Sequence, residues 1–273
     1  MVKALIPISV NLESSIALRY AQHLSRWIDL RIHDIHVIDS DRAGPMPAAQ
    51  GWVRNKWEKA LTENAEKEIS QFLAMENLDL KRTRSTEVVQ GDRTEKLLEK
   101  VISGAYKLFI EGALPAFDPS DFYSLLGSTL YRSLPCPALV VKNPVILDKT
   151  VILMDPKDEQ TPVSTYLKIF AGSGIETDIA VYTITDGDEL LVRDDGDQPA
   201  WIDEVAKTIT AQSAAVGKTT RIEGPSAKIA GHLRGYGLVA ASVPRNPMRQ
   251  KPKLEILARL PNPVLICWSE TST

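Results

Sequence analysis

Short apolar runs alternate with amphipathic segments along the whole chain. Residues 4–9 form a run too short for a helix and Ile-rich at its centre, which predicts a buried strand. The next segment sets Ala17, Tyr20, Ala21, Leu24 and Ile28 on one face at helical spacing, with Ser14 or Ser15 as its cap. Residues 31–38 predict a strand. Residues 39–51 carry Gly, Pro and acids and predict a loop. A long helix then presents Val53, Trp57, Leu61, Ala65, Ile69 and Phe72 on one side. Strands are expected over 83–89, 107–110 and 138–142. Helices are expected over 94–103, capped by Thr94 or Asp92, and over 121–134, with Phe122, Leu125, Leu126 and Leu130 turned inward. Further strands are expected over 150–155, 178–183, 219–223, 238–242 and 264–268, and helices near 163–171, 201–215, 227–233 and 254–260. Strict alternation of the two element types predicts parallel sheets covered by helices on both faces, with right-handed crossovers. Ligands in such folds sit beyond the carboxyl ends of the strands, at the switch point.

The chain also repeats itself. Leu134-Pro135-Cys136-Pro137-Ala138-Leu139-Val140-Val141 returns as Leu260-Pro261-Asn262-Pro263-Val264-Leu265-Ile266-Cys267. Lys3-Ala4-Leu5-Ile6 returns as Lys149-Thr150-Val151-Ile152, Trp52 as Trp201, and Gly104 as Gly235. A repeat this long means two copies of one domain rather than a solenoid. The boundaries expected are 1–145 and 146–273, joined by the short linker 143–149. Each copy is expected to be its own five-stranded parallel sheet, so that one continuous sheet would count against the repeat. The last strands, 138–142 and 264–268, are also expected to pair antiparallel across a pseudo-twofold axis, since an exposed Ala-Leu-Val-Val edge invites aggregation.

Composition removes several classes. With 44% hydrophobic and 25% charged residues the 273-residue chain reads as globular, and a net charge of -3 gives no general attraction to nucleic acid or membrane. No apolar run is long enough to span a bilayer, and the start is too short and too weakly basic for a secretory signal. Two cysteines give no disulfide framework and no zinc spacing. The placement expected is cytoplasmic.

The first strand, His36-Val37-Ile38-Asp39, Val88-Val89-Gln90-Gly91-Asp92 and the stretch from Arg132 to Val141 together resemble a universal stress protein domain, across nearly all of 1–145. The whole is similar to the tandem members of that family. The fold implied is two Rossmann-like domains of the adenine nucleotide alpha hydrolase type. The resemblance implies a cytoplasmic stress-response protein acting by binding and regulation through unidentified protein partners. The two domains would form an intrachain pseudo-dimer, and association into a homodimer is the further step. The alternative within the family is an ATP-binding switch or weak ATPase.

ATP-binding members carry G-x-x-G-x(9)-G-[S/T], whose backbone N–H groups wrap phosphates, and an Asp ending the first strand. Aligned from Pro135-Cys136-Pro137 without gaps, the three glycines fall on Glu111, Leu114 and Ser124. A gapped alignment keeps Gly112 and Gly127-Ser128 but sets Pro115 at the inner position, where a backbone donor is missing. Glu111 and Asp118 bring negative charge to the phosphates' place, and Ser9 replaces the Asp. Asp155 holds that position in the second half, but 239–244 has no glycine. The nucleotide site therefore reads as degenerate in both halves, and ATP or AMP is disfavoured as cofactor. Residual nucleotide contacts would fall on Pro7, Ser9, Val37, Gly112, Gly127, Ser128 and Asp155. No catalytic or metal-binding residue is assigned.

Other signals have plain readings. Gly217-Lys218-Thr219 imitates a P-loop end but stands between a helix and a strand, the reverse order. His33 and His36 are three apart on a strand and face opposite ways, so they share no metal. The acids from Asp186 to Asp197 read as a solvated, mobile insertion. Arg245, Arg249, Lys251 and Lys253 read as a solvated face, with an anion site on Arg245, Arg249 and Lys251 as the sharper alternative. Cys136 and Cys267 read as small core residues.

Overall fold

The computed structural model describes residues 1–39, 52–114, 118–155, 161–194, 200–212, 215–246 and 252–269. Most of the predicted loop 39–51, with Pro115, Asp195, Asp197, Arg249 and Lys251, lies outside the described residues, as do the side chains of Val53 and Trp201.

The first half runs β1 (Val2–Pro7), α1 (Leu12–Leu24), β2 (Leu30–Ile38), α2 (Trp52–Glu76), β3 (Glu87–Gln90), α3 (Arg93–Ser103), β4 (Leu108–Gly112), α4 (Pro119–Gly127), α5 (Thr129–Ser133) and β5 (Ala138–Val141). The second runs β6 (Lys149–Met154), α6 (Thr161–Phe170), β7 (Glu176–Ile184), β8 (Leu191–Arg193), α7 (Ala200–Ala211), β9 (Ala215–Gly224), α8 (Ser226–His232), β10 (Leu238–Pro244), α9 (Pro252–Arg259) and β11 (Val264–Ser269). The described strands form one sheet in the order β3-β2-β1-β4-β5-β11-β10-β6-β7-β9-β8. All neighbours are parallel except β5 with β11 and β8 with β9.

Two of the expectations compete here. Val264, Leu265 and Ile266 pair antiparallel with Val140, Leu139 and Ala138, and this joins the two sheets into one. The expectation of separate sheets is corrected by that pairing. By that criterion the continuous sheet counts against the repeat, although each half keeps a five-stranded parallel core of the same order. Strand pleating sends alternate side chains to opposite layers. Ala4 and Ile6 join one buried cluster with residues of α1, α2, α6 and α7, and Leu5 joins another with residues of α3, α4, α5, α8 and α9. Both clusters cross the junction, so each helical layer is continuous between the halves.

Several boundaries differ from the sequence reading. Asn11 caps α1 by accepting from the Ser14 amide at 2.9 Å, and the Ser14 hydroxyl instead accepts from the Ser9 amide at 2.8 Å. The single helix predicted over 121–134 is two helices. Ser128 has extended backbone there, and its Oγ accepts from the Tyr131 amide at 3.4 Å to start α5. The strand predicted over 83–89 is shorter, with Arg82 making only an isolated bridge to Ile32. β8 was not predicted. Its three residues fall within the acidic segment and are all exposed, so no apolar alternation announces them.

Asp92 caps α3, as expected, just after Gly91, which has φ of +141°. Gly224 stands at the matching turn of the second half with φ of +157°. A side chain at Gly91 would be strained, whereas Gly127 has ordinary φ and open space around it. We expect Gly91→Ala to lose about 1–3 kcal/mol. Gly127→Ala should gain about 0.5–1 kcal/mol, because alanine restricts the unfolded chain more than glycine does. Urea unfolding of the full chain measures both, and equal effects at the two sites would contradict this reading.

Candidate functional site

A cleft of about 790 Å³ opens beyond the carboxyl ends of β1, β2 and β4. This is where the strand order reverses, with β2 and β3 built to one side of β1 and β4 and β5 to the other. Pro7 lines it from the end of β1, Ser9 from the turn beyond, Val37 from β2 and Gly112 from β4. Four of the seven residues read as nucleotide contacts therefore meet in one cavity. Gly127 and Ser128 are not among its lining residues, and Ser128 is occupied in capping α5. Asp155 directly follows β6 in the other half, where it accepts from the Tyr182 hydroxyl at 3.2 Å.

Gly112 has a packing reason to be glycine. A Cβ there would lie 1.9 Å from the Glu13 carbonyl oxygen, so the first turn of α1 sits directly on β4. The close approach that glycine permits at this position is made by the chain's own backbone.

The cleft's polar groups are largely engaged with one another. The Ser9 and Ser14 amides donate to Ser14 Oγ and Asn11 Oδ1. Arg93, at the start of α3, forms an ion pair with Glu111, whose other oxygen accepts from the Tyr131 hydroxyl at 2.7 Å. Burial, then the Glu111 carboxylate, pushes the Tyr131 hydroxyl well above the ordinary tyrosine value, so it stays a donor. His36 Nδ1 lies 2.8 Å from the Ile8 carbonyl oxygen. A carbonyl oxygen only accepts, so Nδ1 carries a proton.

Asp118 does not line this cleft. It caps α4 by accepting from the Ser120 amide at 2.7 Å, and the bond from the Ser120 hydroxyl, then that from the amide, hold its carboxyl below the usual range. The acid that α4 does bring to the cleft is Asp121, which the sequence reading passed over. Glu13, Asp39 and Glu111 complete the carboxylates of the lining.

Arg245 is partly engaged. Its Nη1 donates to the carbonyls of Leu134 at 2.8 Å and Arg132 at 3.0 Å, and its guanidinium lies 5.6 Å from the Trp268 ring. It ties the end of β10 to the approach to β5, a task that spacing alone did not reveal. Gly217 and Lys218 lie inside β9, where the Lys218 amide donates to Asp178 at 2.7 Å. His33 is buried beside Tyr106 and 3.1 Å from Glu87, away from the cleft that His36 lines. Among the described residues no group of three His, Cys, Asp or Glu could hold a metal ion. Nor does any described helix have the length and apolar character to cross a membrane.

No family model and no curated protein matches the chain. Solved structures do. A universal stress protein from Archaeoglobus fulgidus DSM 4304 is similar over 97% of this chain and 96% of its own, with a TM-score of 0.65 and 14% identity. A putative universal stress protein from Pseudomonas aeruginosa UCBPP-PA14 covers 97% of this chain with 92% of its own, at a TM-score of 0.54 and 16% identity. A functionally unknown protein from Pseudomonas aeruginosa PAO1 covers 98% of this chain with 92% of its own, at 0.52 and 16%. The fold is thus that of the universal stress proteins. Two domain-sized α/β units of the Rossmann-like kind lie in one chain.

Proposed function

We propose that this chain works as a tandem universal stress protein. It acts by binding and regulation in the cytoplasm, through protein partners, and its nucleotide site is degenerate. Domains 1–145 and 146–273 form the intrachain pair. The observation that supports this most is that donors of the first-half cleft are engaged with the chain's own groups. In ATP-binding sites of this kind, free backbone N–H groups and helix N-termini receive the phosphates. Here the Ser9 and Ser14 amides are already donors to side chains, and Gly112 packs on Glu13. Carboxylates line the space where phosphate charge would lie.

We expect the full chain titrated with ATP–magnesium to give no heat of binding at micromolar to high micromolar concentration. Its melting temperature should also stay unchanged. A ligand at 100 times its dissociation constant would stabilise the fold by about 2.7 kcal/mol, well within detection. Micromolar binding would overturn the reading and favour the nucleotide-switch alternative.

A further inference from the structure

The same cleft has a property that a merely disabled phosphate site does not need. Its apolar wall is intact, with Ile8, Ile35, Leu61 and Leu125 among its lining residues. Its volume of about 790 Å³ lies within the range of small-molecule sites. The cavity therefore defines the site, and the charges decide only what fits.

Those charges have one net sign. Glu13, Asp39, Glu111 and Asp121 line the cleft against Arg93 as the lysine or arginine of the described lining, and Arg93 is paired with Glu111. The N-terminus of α1 lines it through Asn11 and Glu13, a place that would ordinarily favour an anion, and α4 contributes Asp121. Each has its own acid in the first turn, Glu13 in α1 and Asp121 in α4. Donors are engaged, as shown for Ser9, Ser14 and Arg93, and His36 spends Nδ1 on the Ile8 carbonyl. A cavity with apolar walls, acidic rim and acceptors in excess of donors complements a ligand with the opposite inventory.

We propose that this cleft binds a small organic cation, an amine or guanidinium carried on an apolar body, and that Glu13 and Asp121 recognise its charge. The inference rests on the reading of the cleft as closed to ATP. The cationic end would lie between the first turns of α1 and α4, and the apolar body along Ile8, Ile35 and Leu61.

The test is calorimetry of the full chain at low ionic strength. The probes are agmatine, spermidine and tyramine, with adenosine and inorganic phosphate as comparators. At least one of the three cations should bind, and adenosine and phosphate should not. A Glu13→Gln, Asp121→Asn double variant should weaken that binding about tenfold, the scale of one charge-assisted hydrogen bond. Raised salt should weaken wild-type binding too. Glu13 is part-exposed and Asp121 exposed, so the double variant should fold, and an unchanged melting temperature checks this. If the double variant melts early, Asp121→Asn alone serves as the comparison. Absence of binding by all three cations overturns the proposal, as does binding that either variant leaves undiminished or that adenosine matches. Failure of the broader reading looks different, since it would appear as ATP–magnesium binding.

Discussion

Replacing Lys142 by alanine should destabilise the whole chain by about 3–5 kcal/mol, the usual cost of breaking a buried charged network from one side. Lys142 follows β5 and is only 1% exposed. Its ammonium donates to the carbonyls of Leu257 and Ala258 at 2.8 Å and Leu260 at 3.2 Å, and it lies 4.3 Å from the Phe122 ring. These carbonyls belong to the last turn of α9 and the residue beyond it, where a helix end carries partial negative charge and unsatisfied acceptors. A lysine of the first half thus caps a helix of the second. Lys142→Met keeps the bulk, leaves three carbonyls without a donor, and should lose less than alanine but remain clearly destabilised. Urea unfolding of the full chain decides it. A loss below about 1 kcal/mol for alanine, the level of an ordinary surface change, would show that water replaces the ammonium at no cost.

The same lysine predicts a pH effect. Burial lowers its folded value from 10.5 to about 7, while the unfolded chain keeps the ordinary value. Between these limits the unfolded chain binds a proton that the folded chain releases, so the lysine's contribution to stability rises with pH. The rise runs from about 7 to the ordinary 10.5. Wild type should therefore gain stability relative to Lys142→Met between pH 8 and 10, and a relative loss over that range would contradict the burial argument.

Asp178→Ala is the second large effect, also about 3–5 kcal/mol. Asp178 is 1% exposed and accepts from the Tyr236 hydroxyl at 2.6 Å and the Lys218 amide at 2.7 Å. Lys149, from β6, lies 2.9 Å from the same carboxylate. Removing the carboxylate leaves two donors without an acceptor, whereas Lys149 is part-exposed and can turn to Glu176 at 2.6 Å or to water. Asp178→Asn should cost less, about 1.5–3 kcal/mol, because it keeps one acceptor and loses the charge. A double-mutant cycle with Tyr236→Phe should return a coupling of about 0.5–3 kcal/mol. Additive losses would show that the tyrosine and the carboxylate act independently.

His33 and Asp178 also explain what the repeat conceals. Leu5 of β1 pairs with His33 of β2, and Val151 of β6, the repeat partner of Leu5, pairs with Asp178 of β7. Both face the tyrosine that follows the matching glycine, Tyr106 in one half and Tyr236 in the other. The position keeps a buried polar group and changes its chemistry. Identity of residues is lost there while the hydrogen-bonded architecture stays.

The sequence by itself determined the order of strands and helices, apart from β8 and the break that splits 121–134 into α4 and α5, along with the repeated residue strings and the departures from the family's glycine motif. These follow from local periodicity, from repeated residue strings and from residue types that remove a donor or a conformation, such as Ser9 in place of an acid. It also determined that His33 and His36 face apart, because strand pleating is fixed by the backbone. Only the tertiary structure decided what Lys142, Arg245 and Asp178 do. Lys142 and Arg245 bond to backbone carbonyls, as far as 118 positions away for Lys142, and Asp178 accepts from an amide and a tyrosine hydroxyl far along the chain; a carbonyl or an amide leaves no mark on the identity of its residue. The same reason hid the role of Gly112. Nothing in the sequence near it says that the Glu13 backbone comes down on β4, and that contact makes glycine necessary there whatever ligand the cleft receives.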